Sequence, residues 1–490
     1  MVSKLSDICM RRISDNLVGD VWLRSQHNPF AKMPTKIVDK IMKAMEHPYK
    51  LPYPCISQLG VLISSGQLQC LDLTLHRGCP RHCHREEYDE MIKLMTRDAC
   101  KNLKSLTIPF EYNKGMSETI PKLLENCQQL EQLRTDNFFH LGALTHCPNM
   151  RSVKISYCKN CKTMFDSSWN IPEFQQFLKN MEIFDVLRFQ NGSLLYDKIA
   201  KILLWSPKLI SMGLIDTCIA LDYIREKVEK RQFALKRCCW GKQYDDGIAD
   251  QCFPPYGRRY PKIIKNAALS CPMVEELVLQ VVHKDCLQHL RHLKQLNILI
   301  VKFSRFLKDP IPAFLNVLQE IGPQLKHLSI DTFLTFPVND ICRLCPNLES
   351  LGLFGCASVS EPVGTCESLR HLQRLYTTIV NEKSLIFLLE NCVGIREMVI
   401  NDADCFDDQM LDRVLQKNMF SELKTLYIQR GQFSERKLEE FLETAQQLEN
   451  VSTRDILFHK ILYSKTRFFS NSVIANKPNF FENLLDQSRF

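Results

Sequence analysis

A short apolar string, L-x-x-L-x-L with conservative swaps, recurs along the chain and constrains its fold more than any other feature. Clear copies lie at Leu68/Leu71/Leu73, Leu103/Leu106/Ile108, Met150/Val153/Ile155, Phe184/Leu187/Phe189 and Val274/Leu277/Leu279. Others follow at Leu293/Leu296/Ile298, Leu325/Leu328/Ile330, Leu348/Leu351/Leu353, Ile395/Met398/Ile400 and Leu423/Leu426/Ile428. Weaker copies start at Leu130, Leu209, Leu372 and Leu448. The last two apolar positions are two residues apart, so both face the same side of a short strand, and the first enters from the preceding turn. Between strings the apolar period becomes helical: Phe314, Leu318 and Ile321 line one face before Gly322-Pro323 ends the helix, and Leu385, Leu388 and Leu389 repeat the pattern.

From Leu325 the strings start at 348, 372, 395, 423 and 448, in steps of 23, 24, 23, 28 and 25 residues. Such steps fall in the range of about 20–29 that marks leucine-rich repeats. One strand and one helix per repeat, stacked, predict an α/β leucine-rich-repeat solenoid with parallel strands on the concave face and helices on the convex face. Several copies open on a thiol and a proline, as in Cys147-Pro148-Asn149, Cys271-Pro272-Met273 and Cys345-Pro346-Asn347; Cys127, Cys366 and Cys392 are expected in corresponding places. Proline ends the helix there and the small thiol fills the corner. The 22 cysteines therefore read as reduced, packed thiols of a cytoplasmic or nuclear protein rather than as a disulfide framework. The repeats resemble those of ubiquitin-ligase substrate receptors.

Two segments precede the array. Leu5, Ile8, Cys9 and Ile13 share one helical face, with Ser3 available as N-cap and Asp7 in the first turn. Met33-Pro34 then opens a second helix, whose stripe is Ile37, Val38, Ile41, Met42 and Met45. The pair resembles an elongin-binding box followed by a cullin 2 box. That resemblance implies that Leu5, Ile8, Cys9 and Ile13 bind elongin C, and through it elongin B, and that Met33, Pro34, Ile37 and Ile41 bind cullin 2. The run LSDICMRRI…MPTKIVDKIMKAM before leucine-rich repeats is similar to the front of the Zyg-eleven family of cullin 2 substrate receptors. Lys4 departs from the family's Ser, Thr or Pro. The family's armadillo-like region, which reads substrate N-termini, has no counterpart in these 490 residues, so that pocket is not carried over. Met33-Pro34…Ile37…Ile41 also resembles the opening of an F-box, but Pro48, Pro52 and Pro54 break the helices an F-box needs.

The expected organisation is a helical docking module over 1–58, a solenoid over 59–455 with an inserted helix and loop about 224–264, and a C-terminal cap over 456–490. The insertion carries Lys230, Arg231, Lys236, Arg237, Arg258 and Arg259, read as a solvated connection or a binding loop. A protein substrate is expected on the concave face, at residues between the buried leucines: Ser105, Thr107, Ser329, Asp331, Ser350, Thr425 and Tyr427. Cys79-Pro80-Arg81-His82-Cys83-His84, Cys158-Lys159-Asn160-Cys161 and Cys342-Arg343-Leu344-Cys345 lack the two separated knuckles of a zinc site, so no metal or other cofactor is expected. No G-x-S-x-G, H-E-x-x-H or P-loop is present, and the chain does not read as an enzyme. A formal charge of +8 over this length favours neither nucleic acid nor membrane as partner, and no apolar run reaches bilayer length.

Overall fold

Strand after strand in the computed structural model begins the same way: two consecutive N–H groups donate to one carbonyl of the repeat before. Lys104 and Ser105 donate to Gln69 O at 2.8 and 2.9 Å, Glu131 and Gln132 to Lys104 O at 2.8 and 2.9 Å, and Glu349 and Ser350 to Lys326 O at 2.7 and 3.1 Å. The structure describes residues 5–18, 21–22, 27–45, 56–73, 92–108, 116–135, 139–155, 172–186, 196–228, 230–241, 259–305, 307–355, 357–359, 366–378, 381–401, 404–448 and 450–453. The chain divides into two units, Met1–Leu214 and Ile215–Phe490.

The first unit opens with helices α1 (Leu5–Val18), α2 (Thr35–Met45) and α3 (Ile56–Ile63). Its described strands β1 (Cys70–Asp72), β2 (Ser105–Ile108), β3 (Gln132–Thr135), β4 (Ser152–Ile155), β5 (Ile183–Val186) and β6 (Ser211–Met212) stack in chain order, all parallel. The register aligns Leu71, Leu106, Leu133, Val153, Phe184 and Met212 in one buried column. Helices α4 (Met116–Asn126), α5 (Pro172–Leu178) and α6 (Tyr196–Trp205) bury Leu124, Phe174, Phe177, Ile202 and Leu203. Just ahead of the strands, neighbouring repeats alternate in charge: Lys104 pairs with Glu131 at 3.0 Å and Arg151 with Glu182 at 3.6 Å. Exposed pairs of this kind contribute at most ~1 kcal/mol each. Their effect is to favour the register already set by the leucines.

The second unit begins with α7 (Thr217–Lys227), β7 (Arg237–Trp240), α8 (Tyr260–Ser270), β8 (Glu276–Val281), β9 (Ile298–Phe303), α9 (Ile311–Ile321) and β10 (His327–Asp331). It continues through β11 (Phe336–Pro337), α10 (Val338–Leu344), β12 (Ser350–Phe354), β13 (Ala357–Ser358), β14 (Arg374–Thr377) and α11 (Glu382–Asn391). It closes with β15 (Glu397–Ile400), α12 (Asp408–Leu415), β16 (Thr425–Ile428), α13 (Glu435–Thr444) and β17 (Asn450–Thr453). The main sheet runs β7-β8-β9-β10-β12-β14-β15-β16-β17, parallel throughout, and β11 pairs with β13 beside it. The architecture is the α/β leucine-rich-repeat fold that the spacing predicts.

Three details differ from the sequence reading. The segment 224–264 is not simply an inserted helix and loop, because β7 lies within it. Leu235, Cys238 and Trp240 are all buried and form a copy of the repeat string with a thiol and an indole in place of leucines; Cys238 pairs with Leu277 and Trp240 with Leu279. Two copies are shifted by three residues. Phe184 lies beside Val153 and Leu299 beside Leu277, so the repeat strings are Met181/Phe184/Val186 and Leu296/Leu299/Val301. In both, an apolar residue three positions away mimics the first leucine. Cys366 is half-buried at the N-cap of a 3₁₀ helix, Glu367–His371, and buried Leu369 occupies the corner that Cys127, Cys147, Cys271, Cys345 and Cys392 fill elsewhere.

Candidate docking module and interaction faces

Helix α2 closes the open edge of the first unit's sheet. Among the described residues no strand precedes β1, and its two leading N–H groups, from Gln69 and Cys70, donate instead to Asp39 Oδ1 at 2.9 and 3.2 Å. One carboxylate oxygen thus takes the place that a carbonyl holds in later repeats. The cap is reinforced by Gln69 Nε2 to Thr35 Oγ1 at 3.4 Å and Gln67 Nε2 to Ala31 O at 3.0 Å. Asn28 Nδ2 ties the α1–α2 connection to α3 through Val61 O at 2.6 Å. An uncapped strand edge and solenoid end would expose both backbone groups and core.

The two helices each have a packed side and a free side. On α2, Val38, Ile41 and Met42 are buried, whereas Ile37 keeps 37% of its surface, Pro34 is exposed and Met33 is half-buried. Ile41, a cullin 2 contact by the sequence reading, is 0% exposed and belongs to the cap, because Val38, Ile41 and Met42 share the stripe turned toward the repeats. On α1, which packs on α2, Leu17 is buried and Ile13 half-buried, while Ile8 is 53% exposed and Cys9 is an exposed free thiol. Leu5 starts α1. Its side chain lies outside the described residues. Arg12, Asp15, Lys36, Lys40 and Lys43 are also exposed.

On the sheet face opposite the helices, the two units differ. In the first, Ser105 and Thr107 are half-buried and neighbour the exposed Gln132 and Arg134; Arg134 stands beside Lys154 and next to Thr107. In the second, Asp331, Thr425 and Tyr427 are half-buried, but Ser329 and Ser350 retain only 2% and 1% of their surface. Those two serines are therefore not open contact residues. Ser329 is packed tightly beside Gly352, where an added Cβ would stand 2.9 Å from Ser329 Oγ. Asp331 lies 3.6 Å from Lys302; burial pushes its carboxyl above the usual range and the lysine opposes that shift.

Sequence reasoning missed the apolar centre of this face. Ile300, Tyr376 and Val399 sit between the paired core positions of β9, β14 and β15 and pack with Val278, Phe354 and Tyr427. Phe354 and Tyr376 stack with ring centroids 4.8 Å apart, and Asn401 Nδ2 donates to Tyr376 Oη at 2.7 Å. The signal was present in the letters: these are bulky apolar residues at positions where the first unit carries Thr107, Arg134, Lys154 and Asp185.

Two cations of the basic insertion, Lys236 and Arg259, are paired with carboxylates. Lys236 Nζ lies 2.8 Å from Glu275, and Arg231 lies over the Phe233 ring at 5.5 Å. Arg259 joins buried Asp222 at 2.9 Å and also Glu226, Lys262 pairs with Glu226 at 2.6 Å, and Asn266 donates to Asp222 at 2.7 Å. Arg258 and Pro254-Pro255 lie outside the described residues, as do Cys79–His84, Cys158 and Cys161, the prolines 48, 52 and 54, and the expected cap 456–490. Cys342 and Cys345 are buried free thiols; burial raises both, Cys345 to about 12. Among the described residues no group of three or more His, Cys, Asp or Glu is gathered in a way that could hold a metal, and no helix is long and apolar enough to cross a membrane.

No family model and no curated protein matches the chain. Among solved structures, it is similar to a yeast complex of Rad7 and Elc1 at 12% identity and a TM-score of 0.40, over 92% of this chain and 93% of that one. A leucine-rich-repeat protein of Leptospira interrogans matches at 13% identity and a TM-score of 0.29, over 84% and 97% of the two chains. An internalin of Listeria monocytogenes matches at 10% and 0.27, over 74% and 83%.

Proposed function

We propose that the chain is the substrate-recognition subunit of a cullin 2–elongin BC ubiquitin ligase, of the Zyg-eleven type, acting in the cytoplasm or nucleus. The observation that supports this reading is the division of labour in the N-terminal helices. The buried side of α2 and Asp39 complete the sheet, and that capping task leaves Ile8 and Cys9 of α1, and Pro34 and Ile37 of α2, facing water. An apolar side chain as exposed as Ile8, on a helix that buries Leu17, suits insertion into a partner's pocket. In this reading Leu5, Ile8, Cys9 and Ile13 bind elongin C, and Met33, Pro34 and Ile37 meet cullin 2, with Ile41 supporting them from beneath. The repeats hold a protein substrate near the charged ubiquitin-conjugating enzyme. The gain is effective concentration, and the receptor itself makes and breaks no bond.

The test is capture from cells of the full chain and of its Leu5→Ala/Cys9→Ala variant. Elongins B and C and cullin 2 are expected with the natural sequence and lost together with the variant. Equal recovery from both would leave a leucine-rich-repeat interaction scaffold without a ligase link.

A further inference from the structure

The first unit's sheet carries a block of polar side chains that its packing does not use. Strands β2, β3 and β4 pair in register, so Ser105, Gln132 and Ser152 form one row across them and Thr107, Arg134 and Lys154 the next. The residues between the two rows are buried, which turns all six side chains to the face away from the core. Gln132 and Arg134 are exposed and the other four half-buried. One residue ahead of the block, Lys104 and Arg151 are paired with Glu131 and Glu182. Arg134 and Lys154 have no such carboxylate among the described residues.

Two cations one strand spacing apart, ~4.8 Å, beside three hydroxyls and an amide, make a donor set for one compact dianion. The guanidinium offers a planar fork, the ammonium a point charge, and the hydroxyls and amide donate to the remaining oxygens. A phosphomonoester matches that set, with a charge of about −1.5 to −2 at neutral pH and three strong acceptor oxygens. A carboxylate carries a single charge and leaves one of the two cations uncompensated. Acidic groups also bound the block. Asp72 lies beside Thr107 and Asp185 beside Lys154, and Asp185 accepts from Ser211 Oγ at 2.9 Å. A polyanion laid across the strands runs onto those carboxylates, so the borders disfavour nucleic acid and long acidic tracts.

We propose that the face of β2, β3 and β4 binds a phosphorylated serine or threonine of the protein substrate, with Arg134 and Lys154 on its phosphate oxygens. Recognition then depends on prior modification of the substrate by a kinase. The proposal rests on the reading of the repeats as the part that holds a protein substrate, and it does not depend on elongin docking.

The test passes short peptide libraries with randomised flanks over the immobilised full chain. One library has phosphoserine or phosphothreonine at its centre, a second the unmodified residues, a third glutamate, and retained peptides are quantified by mass spectrometry. Retention of the phosphorylated library is expected to exceed that of the other two by at least ~10-fold. It should fall to the unmodified level in Arg134→Gln/Lys154→Gln, with the melting temperature unchanged. Lys104→Gln/Arg151→Gln removes as many cations from just outside the block and should keep the retention. Equal retention of the glutamate library, no preference for the phosphorylated one, or equal loss in both double variants would overturn the proposal. Binding of purified elongin B–C to the same chains reads the ligase assignment separately. It is expected to persist in Arg134→Gln/Lys154→Gln, and its absence from the natural chain would strike that assignment and leave the peptide result standing.

Discussion

The carboxylate of Asp39 offers the most exacting test of how the repeat array begins. Its Oδ1 accepts the Gln69 and Cys70 N–H groups at 2.9 and 3.2 Å, the place a backbone carbonyl occupies in later repeats. Hydrogen bonds to a charged acceptor contribute about 1.5–3 kcal/mol each. Asp39 is half-buried and Cys70 exposed, so water recovers part of that when the carboxylate is removed. Asp39→Ala is expected to cost about 2 kcal/mol, applied at the end of the stack and not spread over it, since each repeat contacts only its neighbours. Asp39→Asn keeps an oxygen that accepts both bonds, and should stay within ~1 kcal/mol of the natural protein. The assay is native-state hydrogen exchange. A local loss of about 2 kcal/mol corresponds to ~30-fold faster exchange at the Gln69 and Cys70 amides in Asp39→Ala. Amides in β3 and β4 should be unaffected. Unchanged exchange at both leading amides, or equal acceleration throughout the first unit, would refute the idea of a carboxylate standing in for a missing repeat.

In the second unit, Asp222 is buried and accepts from Arg259 and Asn266, so Asp222→Ala removes this acceptor from Asn266 and leaves Arg259 with Glu226 alone. Because the Arg259 side chain is half exposed, the expected loss is about 2–3 kcal/mol, below that of a fully buried pair, measured by urea denaturation. His327 gives a pH dependence. Burial holds its imidazole pKa below the ordinary value, opposed by Glu349 and aided by Arg374 and Lys326. The unfolded chain then takes up a proton as pH falls through the ordinary histidine value, before the folded chain does. Stability contributed by this group is therefore complete above that value and declines as pH falls toward the folded pKa. His327→Gln should flatten the stability profile on the acid side of neutrality, and an unchanged slope would assign the titration elsewhere.

Much of the fold was legible because the strand string has a strict period and a strict consequence. Wherever Leu-x-x-Leu-x-Leu was unambiguous, as at Leu325, Leu348 and Ile395, the buried column followed. Legibility failed where apolar residues were too plentiful. Leu293 and Leu296 are both buried, and only pairing of Leu299 with Leu277 decides the register. It failed also where the string was written in other letters, as at Leu235/Cys238/Trp240. Exposure was harder still. A strand position between two leucines is solvated only if nothing covers the second face, and Ser329 and Ser350 are covered. The helical face of Ile37, Val38 and Ile41 was visible in sequence, but which edge packs on the repeats depends on where α2 sits. Asp39, a single carboxylate on that helix, had no sequence signal marking it as part of the sheet's edge.

The central claim concerns the free side of α1, and purified components test it most directly. Ile8 is 53% exposed, so Ile8→Asp removes an apolar contact without opening the cap. Its burial in a partner's pocket would contribute about 2–3 kcal/mol. The full chain is expected to bind purified elongin B–C in calorimetry, and Ile8→Asp to weaken binding at least ~30-fold while its melting temperature stays that of the natural protein. Equal affinity for both chains, or no binding by either, would contradict the claim.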